Sequence, residues 1–170
     1  RLYDVASGDL IDTVSDLAAT NVAFIGSHPA SPAVSDDLLI SAVGVPLQRW
    51  RKVGDRWEQF ERQFAVAEPT RPSSLNSNGF LSVSRDGRTI ARSYFSDEAI
   101  VWHEGSRFSR LGPHPGLNGV ALSPDGTKCV TGQHISADLF LWDTTTGERL
   151  RNLWPDVNSV ASVFSPDGRW

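Results

Sequence analysis

The 170-residue chain is poor in several residue types, and each shortage excludes a class of protein. It has a single cysteine, Cys129, so no internal disulfide can form and nothing indicates an oxidising compartment. The location stays open, with the cytoplasm favoured. Methionine is absent even at position 1, so we expect the natural N-terminus and any targeting segment to lie outside this sequence. No apolar run approaches the roughly 18 residues of a membrane helix, so no membrane segment is predicted.

The charge balance is mildly acidic, with a net charge of −4. Arginine outnumbers lysine fourteen to two, but the basic residues are scattered, so nucleic acid is not an expected partner. The densest basic cluster surrounds Trp50 and Trp57 and leaves two interpretations open. A solvated outer strand is favoured over a nucleic-acid contact formed by Arg49, Arg51, Lys52 and Arg56.

Three near-identical turn sequences divide the second half of the chain. Residues 84–87 read Ser-Arg-Asp-Gly, and residues 123–126 and 165–168 read Ser-Pro-Asp-Gly, with starts 39 and then 42 residues apart. Asp-Gly tolerates the positive φ that tight hairpin turns require. We therefore predict hairpin turns with structural roles for Asp86, Gly87, Asp125, Gly126, Asp167 and Gly168.

A second marker recurs in the same phase. An aromatic residue ends an apolar strand at Tyr3, Trp50, Trp102 and Trp142, and a glycine turn follows each one. The clearest period holds four short strands, of which the third is apolar on both faces. Four such strands cannot bury a core alone, so neighbouring repeats must stack, and radial stacking gives a propeller. The prediction is an all-β repeat fold in which Trp50, Trp102 and Trp142 occupy equivalent, mostly buried third-strand sites.

These residues carry a family resemblance. Residues 120–126 (Val-Ala-Leu-Ser-Pro-Asp-Gly), 139–143 (Leu-Phe-Leu-Trp-Asp) and 146–148 (Thr-Gly-Glu) resemble the blade signature of the WD-repeat family in its bacterial style. The resemblance implies β-propeller blades of four antiparallel strands in an incomplete ring, with about three full blades and two half blades. The chain is then a single domain, 1–170, with pieces at about 1–14, 20–64, 78–111, 117–154 and 158–170. In a second arrangement the two half blades join and close a four-bladed ring.

Many blades of this family hold a hydrogen-bonded network of Trp, Ser or Thr, His and Asp. In the best-preserved blade Trp142 and Thr131 fit two places, and His114 fits a third after one inserted residue. The Asp is out of register, because Ser136 lies nearer its usual place than Asp138 does.

The preceding blade is expected to hold a partial version of the same network. Trp102, Ser93 and Asp97 fit it, but no Gly-His dipeptide precedes them. Two loops, 26–37 and 65–78, are longer than the family pattern. They are surface insertions or, alternatively, part of a recognition surface.

No pattern in the sequence indicates chemistry. It lacks a G-x-S-x-G elbow, a phosphate-binding G-x-x-x-x-G-K loop, an H-E-x-x-H motif and paired cysteines, so no catalytic, metal or cofactor site is predicted. Cys129 is predicted to be a buried, inert thiol. The resemblance implies a non-catalytic scaffold that binds a protein or peptide. The alternative is the regulatory propeller of a larger bacterial enzyme such as a protein kinase or peptidase. Loops on one rim are predicted to contact the partner through Arg71, Asp97, His114, His134 and Asp156.

Overall fold

The computed structural model describes residues 2–3, 7, 10–12, 19–25, 37–42, 45–54, 56–60, 80–93, 97–105, 107–133, 138–155 and 161–169. Within these ranges every regular element is a β-strand, and no helix is long and apolar enough to cross a membrane. Two short strands, β1 (Leu2–Tyr3) and β2 (Leu10–Asp12), form an antiparallel pair at the start.

Twelve further strands form three four-stranded antiparallel sheets, and each sheet follows the chain order. Sheet I contains β3 (Ala19–Ile25), β4 (Asp37–Ala42), β5 (Val45–Val53) and β6 (Arg56–Phe60). Sheet II contains β7 (Leu81–Val83), β8 (Thr89–Ser93), β9 (Ala99–His103) and β10 (Arg107–Leu111). Sheet III contains β11 (Leu117–Leu122), β12 (Lys128–Gln133), β13 (Asp138–Asp143) and β14 (Arg149–Pro155).

This architecture confirms the predicted all-β fold of four-stranded antiparallel blades. The described sheets do not close into a ring. Residues 161–169 contain the third Ser-Pro-Asp-Gly turn but no strand.

The core lies between the sheets, because each central strand is apolar on both faces. Successive side chains of β8 and β9 point to opposite faces of sheet II, as they do in any strand. The side chains on one face pack toward sheet I, and those on the other face pack toward sheet III. The set shared with sheet I is Ile90, Ile100 and Trp102, and the set shared with sheet III is Ala91, Ala99 and Val101. Sheet II is therefore buried on both faces, which explains why its strands read as continuous apolar runs.

The three predicted tryptophans occupy one structural position. Trp50, Trp102 and Trp142 each lie in the third strand of a sheet, opposite Leu38, Ile90 and Cys129 of the second strand. Trp102 and Trp142 are buried, as predicted, but Trp50 is only half-buried. Trp102 packs toward sheet I, and Trp142 packs toward sheet II, whereas sheet I has only the β1–β2 pair before it in the chain.

The outer strand of sheet III is exposed. By strand pairing, Trp154 of β14 occupies the position that Leu111 occupies in sheet II. Leu111 is 0% exposed, whereas Trp154 is 63% exposed, and Leu150 and Leu153 of the same strand are exposed as well. Among the described residues, β14 therefore has no cover like the one that sheet III gives Leu111.

Cys129 is buried between sheets II and III, as predicted, and burial raises the pKa of its thiol to about 12. At pH 8 roughly a thousandfold fewer thiolates form than at an ordinary cysteine, and the thiolate is the reactive form. We expect an aromatic disulfide reagent to leave Cys129 unmodified in native buffer and to react stoichiometrically in denaturant. Rapid, complete reaction in native buffer would contradict this burial.

Candidate functional site

The three repeated turns share one hydrogen-bond pattern. The turn serine donates its Oγ–H to Oδ1 of the aspartate two residues later, at 2.7 Å for Ser84 and at 2.6 Å for both Ser123 and Ser165. The following glycines, Gly87, Gly126 and Gly168, have φ between 71° and 72°. The first two turns join the first and second strands of sheets II and III, as predicted. The aspartates Asp86, Asp125 and Asp167 therefore serve the turns.

Bonding within the turns also explains the state of their carboxylates. Donation from Ser123 lowers the pKa of Asp125, and donation from Ser165 lowers the pKa of Asp167. Both groups stay ionised near neutral pH, and their Oδ1 atoms already accept two or more hydrogen bonds.

The turns also join neighbouring repeats and border a groove of about 360 Å³, which we call the turn groove. The Arg85 backbone N–H donates to the Pro124 carbonyl at 2.9 Å, and the Arg85 guanidinium donates to the Pro166 carbonyl. One arginine therefore bridges three consecutive repeats. The lining residues are Arg85, Asp86, Pro124, Asp125, Pro166, Asp167 and Gly168.

Thr144 fastens sheet III to sheet II. Its hydroxyl donates to the Gly126 carbonyl at 2.6 Å, and its own carbonyl accepts hydrogen bonds from His103 Nε2, at 2.8 Å, and from Ser109 Oγ. Both donors lie in sheet II. These hydrogen bonds hold the β13–β14 turn against sheet II.

A buried polar chain runs through sheet III. Trp142 Nε1 donates to Thr131 Oγ1 at 2.7 Å, and Thr131 Oγ1 lies 2.7 Å from His114 Nδ1. An indole can only donate, so Thr131 Oγ1 accepts from Trp142 and forms a second hydrogen bond with His114 Nδ1. Burial lowers the pKa of His114, and nearby Asp138 opposes that shift. The ring is therefore a neutral part of the interior.

The aspartate of this network has another partner. The Asp138 carboxylate accepts a hydrogen bond from Asn152 Nδ2 at 2.7 Å. Ser136, the other residue considered for this place, lies outside the described residues. The linked groups are thus tryptophan, threonine and histidine.

We expect Thr131→Val to destabilise the chain by about 1–3 kcal/mol, because the buried Trp142 N–H then has no acceptor. Thr131→Ser is the control, since it keeps the hydroxyl. Urea unfolding followed by circular dichroism measures the difference. Equal stability of the valine and serine variants would contradict the role given to this hydroxyl.

The network predicted for sheet II is wrong by one residue. Strand pairing places Arg92, not Ser93, at the position of Thr131. Ile90 pairs with Trp102 as Cys129 pairs with Trp142, and Arg92 and Thr131 each lie two residues further along the second strand. Ser93 instead bonds main-chain groups: its Oγ accepts from the Phe80 N–H at 2.8 Å and donates to the Asn118 carbonyl. Ser93 therefore ties sheet II to sheet III.

A buried aspartate neutralises part of the basic cluster of sheet I. Asp37, the first residue of β4, has a fully buried side chain. Arg49 Nε donates to it at 2.5 Å, and Arg51 donates twice, at 2.9 and 3.1 Å. This hydrogen bonding with Asp37 raises the pKa of Arg51. The expectation of a solvated strand is therefore wrong for Arg49, whose side chain is only 14% exposed, although Lys52 and Arg56 are exposed.

The predicted rim residues are placed unevenly. Asp97 is exposed between β8 and β9, and its carbonyl accepts the His114 N–H at 2.7 Å. His114 is fully buried, so its side chain is not on the rim surface. Arg71, His134 and Asp156 lie outside the described residues, as do 26–36 and 65–78, nearly all of the two long loops.

A second groove, of about 280 Å³, lies at the end of the inner strands opposite the turns. We call it the inner-strand groove. It lies where β7 and β11 begin and β12 ends. The Oδ1 atom of the lining residue Asn118 is buried with no hydrogen-bond partner among the described residues. The described lining residues are uncharged, and of them only Val120 belongs to a motif noted in the sequence; they are Phe80, Asn118, Gly119, Val120, Gln133, Ala161 and Ser162.

Among the described residues no group of His, Cys, Asp and Glu side chains has the arrangement of a metal site. Compared with known proteins, the chain matches no family model and no curated protein. The case for a function therefore depends on the geometry of the chain's own residues.

Proposed function

We propose that this chain is a non-catalytic protein-binding scaffold built from WD-type propeller blades, and that it binds a peptide segment of its partner at the inner-strand groove. The motifs at 120–126, 139–143 and 146–148 support the family assignment, and the three stacked antiparallel sheets are compatible with it. Among the described residues, several side chains that could perform chemistry are engaged in the fold: Cys129 is buried, His114 bonds Thr131, and the turn aspartates bond their own turns.

The observation that carries the proposal is that Asn118 lines this groove and that its Oδ1 atom is buried with no hydrogen-bond partner among the described residues. Buried polar atoms in proteins are almost always hydrogen-bonded, so this acceptor is available to an N–H donor of a ligand that enters the groove. The turn groove is larger but offers less. The Oδ1 atoms of Asp86, Asp125 and Asp167 already bond their own turns. The inner-strand groove is therefore the better binding site.

The test fills the groove without touching the turns. Gly119→Leu adds a large side chain at a residue that lines the groove, and Phe108→Ser, at an exposed position of β10, is the control. Partners captured from the source organism with wild-type chain are identified, synthesised as overlapping peptides and titrated against each variant. We expect Gly119→Leu to abolish binding of one peptide and Phe108→Ser to preserve it. Unchanged binding of every captured partner to Gly119→Leu would refute binding at this groove.

A further inference from the structure

The inner-strand groove results from a difference in side-chain size at one repeated position. Phe80, Gly119 and Ala161 each lie four residues before the serine of a Ser-x-Asp-Gly turn, so they are equivalent in three successive repeats. All three line the groove. A benzyl group, a hydrogen atom and a methyl group cannot fill the same space, and the cavity opens where the glycine and alanine leave room beside the phenylalanine.

The size of the cavity limits what it can hold. Its volume, about 280 Å³, lies just below the usual range of roughly 300–1,000 Å³ for small-molecule sites. It therefore suits one side chain with its adjoining peptide group and is too small for a nucleotide or a large cofactor.

Phe80 supplies the aromatic side chain of this groove. Its backbone N–H donates to Ser93 Oγ at 2.8 Å, and its carbonyl accepts the Ser93 N–H at 3.0 Å, so its main chain is held in place. The residue is 47% exposed. An accessible ring on a held main chain is suited to packing against the apolar part of an incoming side chain.

Asn118 determines which polar group a ligand in this groove must offer. Its backbone carbonyl already accepts the Ser93 hydroxyl, whereas its side-chain Oδ1 is buried and unpartnered among the described residues. The complementary group is an N–H donor. The described lining residues carry no charge, so they would offer no counter-charge to an ionised side chain that loses its hydration.

We infer that the inner-strand groove recognises one uncharged, N–H-bearing residue of a peptide, glutamine or tryptophan, whose N–H donates to Asn118 Oδ1 while its apolar part packs against Phe80. This inference rests on the proposed function and adds the chemistry of the recognised residue.

The test titrates the whole chain with capped pentapeptides that differ only at the central position, which is Gln, Trp, Leu, Arg or Glu. Binding is followed by ¹⁵N nuclear magnetic resonance at the Asn118 side chain and the Gly119 amide. We expect the Gln and Trp peptides to bind about tenfold more tightly than the Leu peptide, the factor for one additional hydrogen bond, and the charged peptides to bind more weakly than Leu.

Two variants separate the possible outcomes. Asn118→Leu should reduce Gln and Trp binding to the level of Leu, whereas Gly119→Leu should abolish binding of all the peptides; thermal melts verify that both variants fold. Binding that Gly119→Leu abolishes but that shows no preference, or that favours Arg or Glu, overturns the inference and leaves the proposed function standing. If no peptide perturbs the groove, the inference falls, and the proposed function is decided by the captured partner alone.

Discussion

Gly126→Val should destabilise the chain by about 2–5 kcal/mol, the sum of two separate penalties. Gly126 has φ of 71°, a left-handed conformation that costs an L-residue about 1–2 kcal/mol. The turn also packs against sheet II, where a Cβ at this position would lie 2.5 Å from Oγ1 and 2.7 Å from Cβ of Thr89. Relieving such overlap in a packed interior costs about 1–3 kcal/mol more.

Gly116→Val is the matched control for this prediction. Gly116 has φ of 73°, but a Cβ there meets nothing within 4 Å, so only the backbone penalty applies. Urea unfolding of both variants gives the cost of the inter-sheet contact by difference. If Gly126→Val is no more damaging than Gly116→Val, the close contact between the turn and Thr89 is wrong.

Asp37→Ala should cost about 3–5 kcal/mol, because removing one member of a buried ion pair leaves its partners without a counter-charge. The Asp37 side chain is 0% exposed, and the side chains of Arg49 and Arg51 that surround it are 14% and 31% exposed. The partial exposure of Arg51 places the expected value at the lower end of this range. Asp37→Asn should cost less, since it keeps the shape and one acceptor oxygen.

The comparison variant for Asp37→Ala is Glu104→Gln, at the residue that follows β9 of sheet II. Glu104 pairs with Arg88 at 3.2 Å, but both side chains are largely exposed, and such pairs contribute about 0–1 kcal/mol. Thermal and urea unfolding at low and high salt distinguish the two, because salt screens the exposed pair and not the buried one. A loss on Asp37→Ala as small as that on Glu104→Gln would contradict the structural role of Asp37.

The features that could be predicted from sequence have short-range causes. In the turns, Ser84 and Asp86 lie two residues apart and bond each other, so their pattern is visible in any repeat. The third-strand tryptophans are marked by the apolar runs that end at them. These local patterns were sufficient to predict the all-β fold and its four-stranded antiparallel sheets.

The features that were missed depend on strand pairing. Asp37 lies 12 and 14 residues from its arginines, and only the β4–β5 register brings them together. The slip between Arg92 and Ser93 has the same origin, although counting eight residues from each turn serine places Arg92 correctly. Counting four residues back from each turn serine aligns the Phe, Gly and Ala positions of the inner-strand groove. This pattern is visible in the sequence, but only the stacking of the sheets shows that the three residues line one cavity.

The exposure of β14 has an optical consequence. Trp102 and Trp142 are buried and Trp50 and Trp57 are half-buried, whereas the Trp154 indole is 63% exposed. Under selective excitation, Trp154 should therefore contribute the most red-shifted and most iodide-quenchable part of the emission from the described tryptophans. A protein that binds over β14 should shift this emission to shorter wavelength and shield it from the quencher.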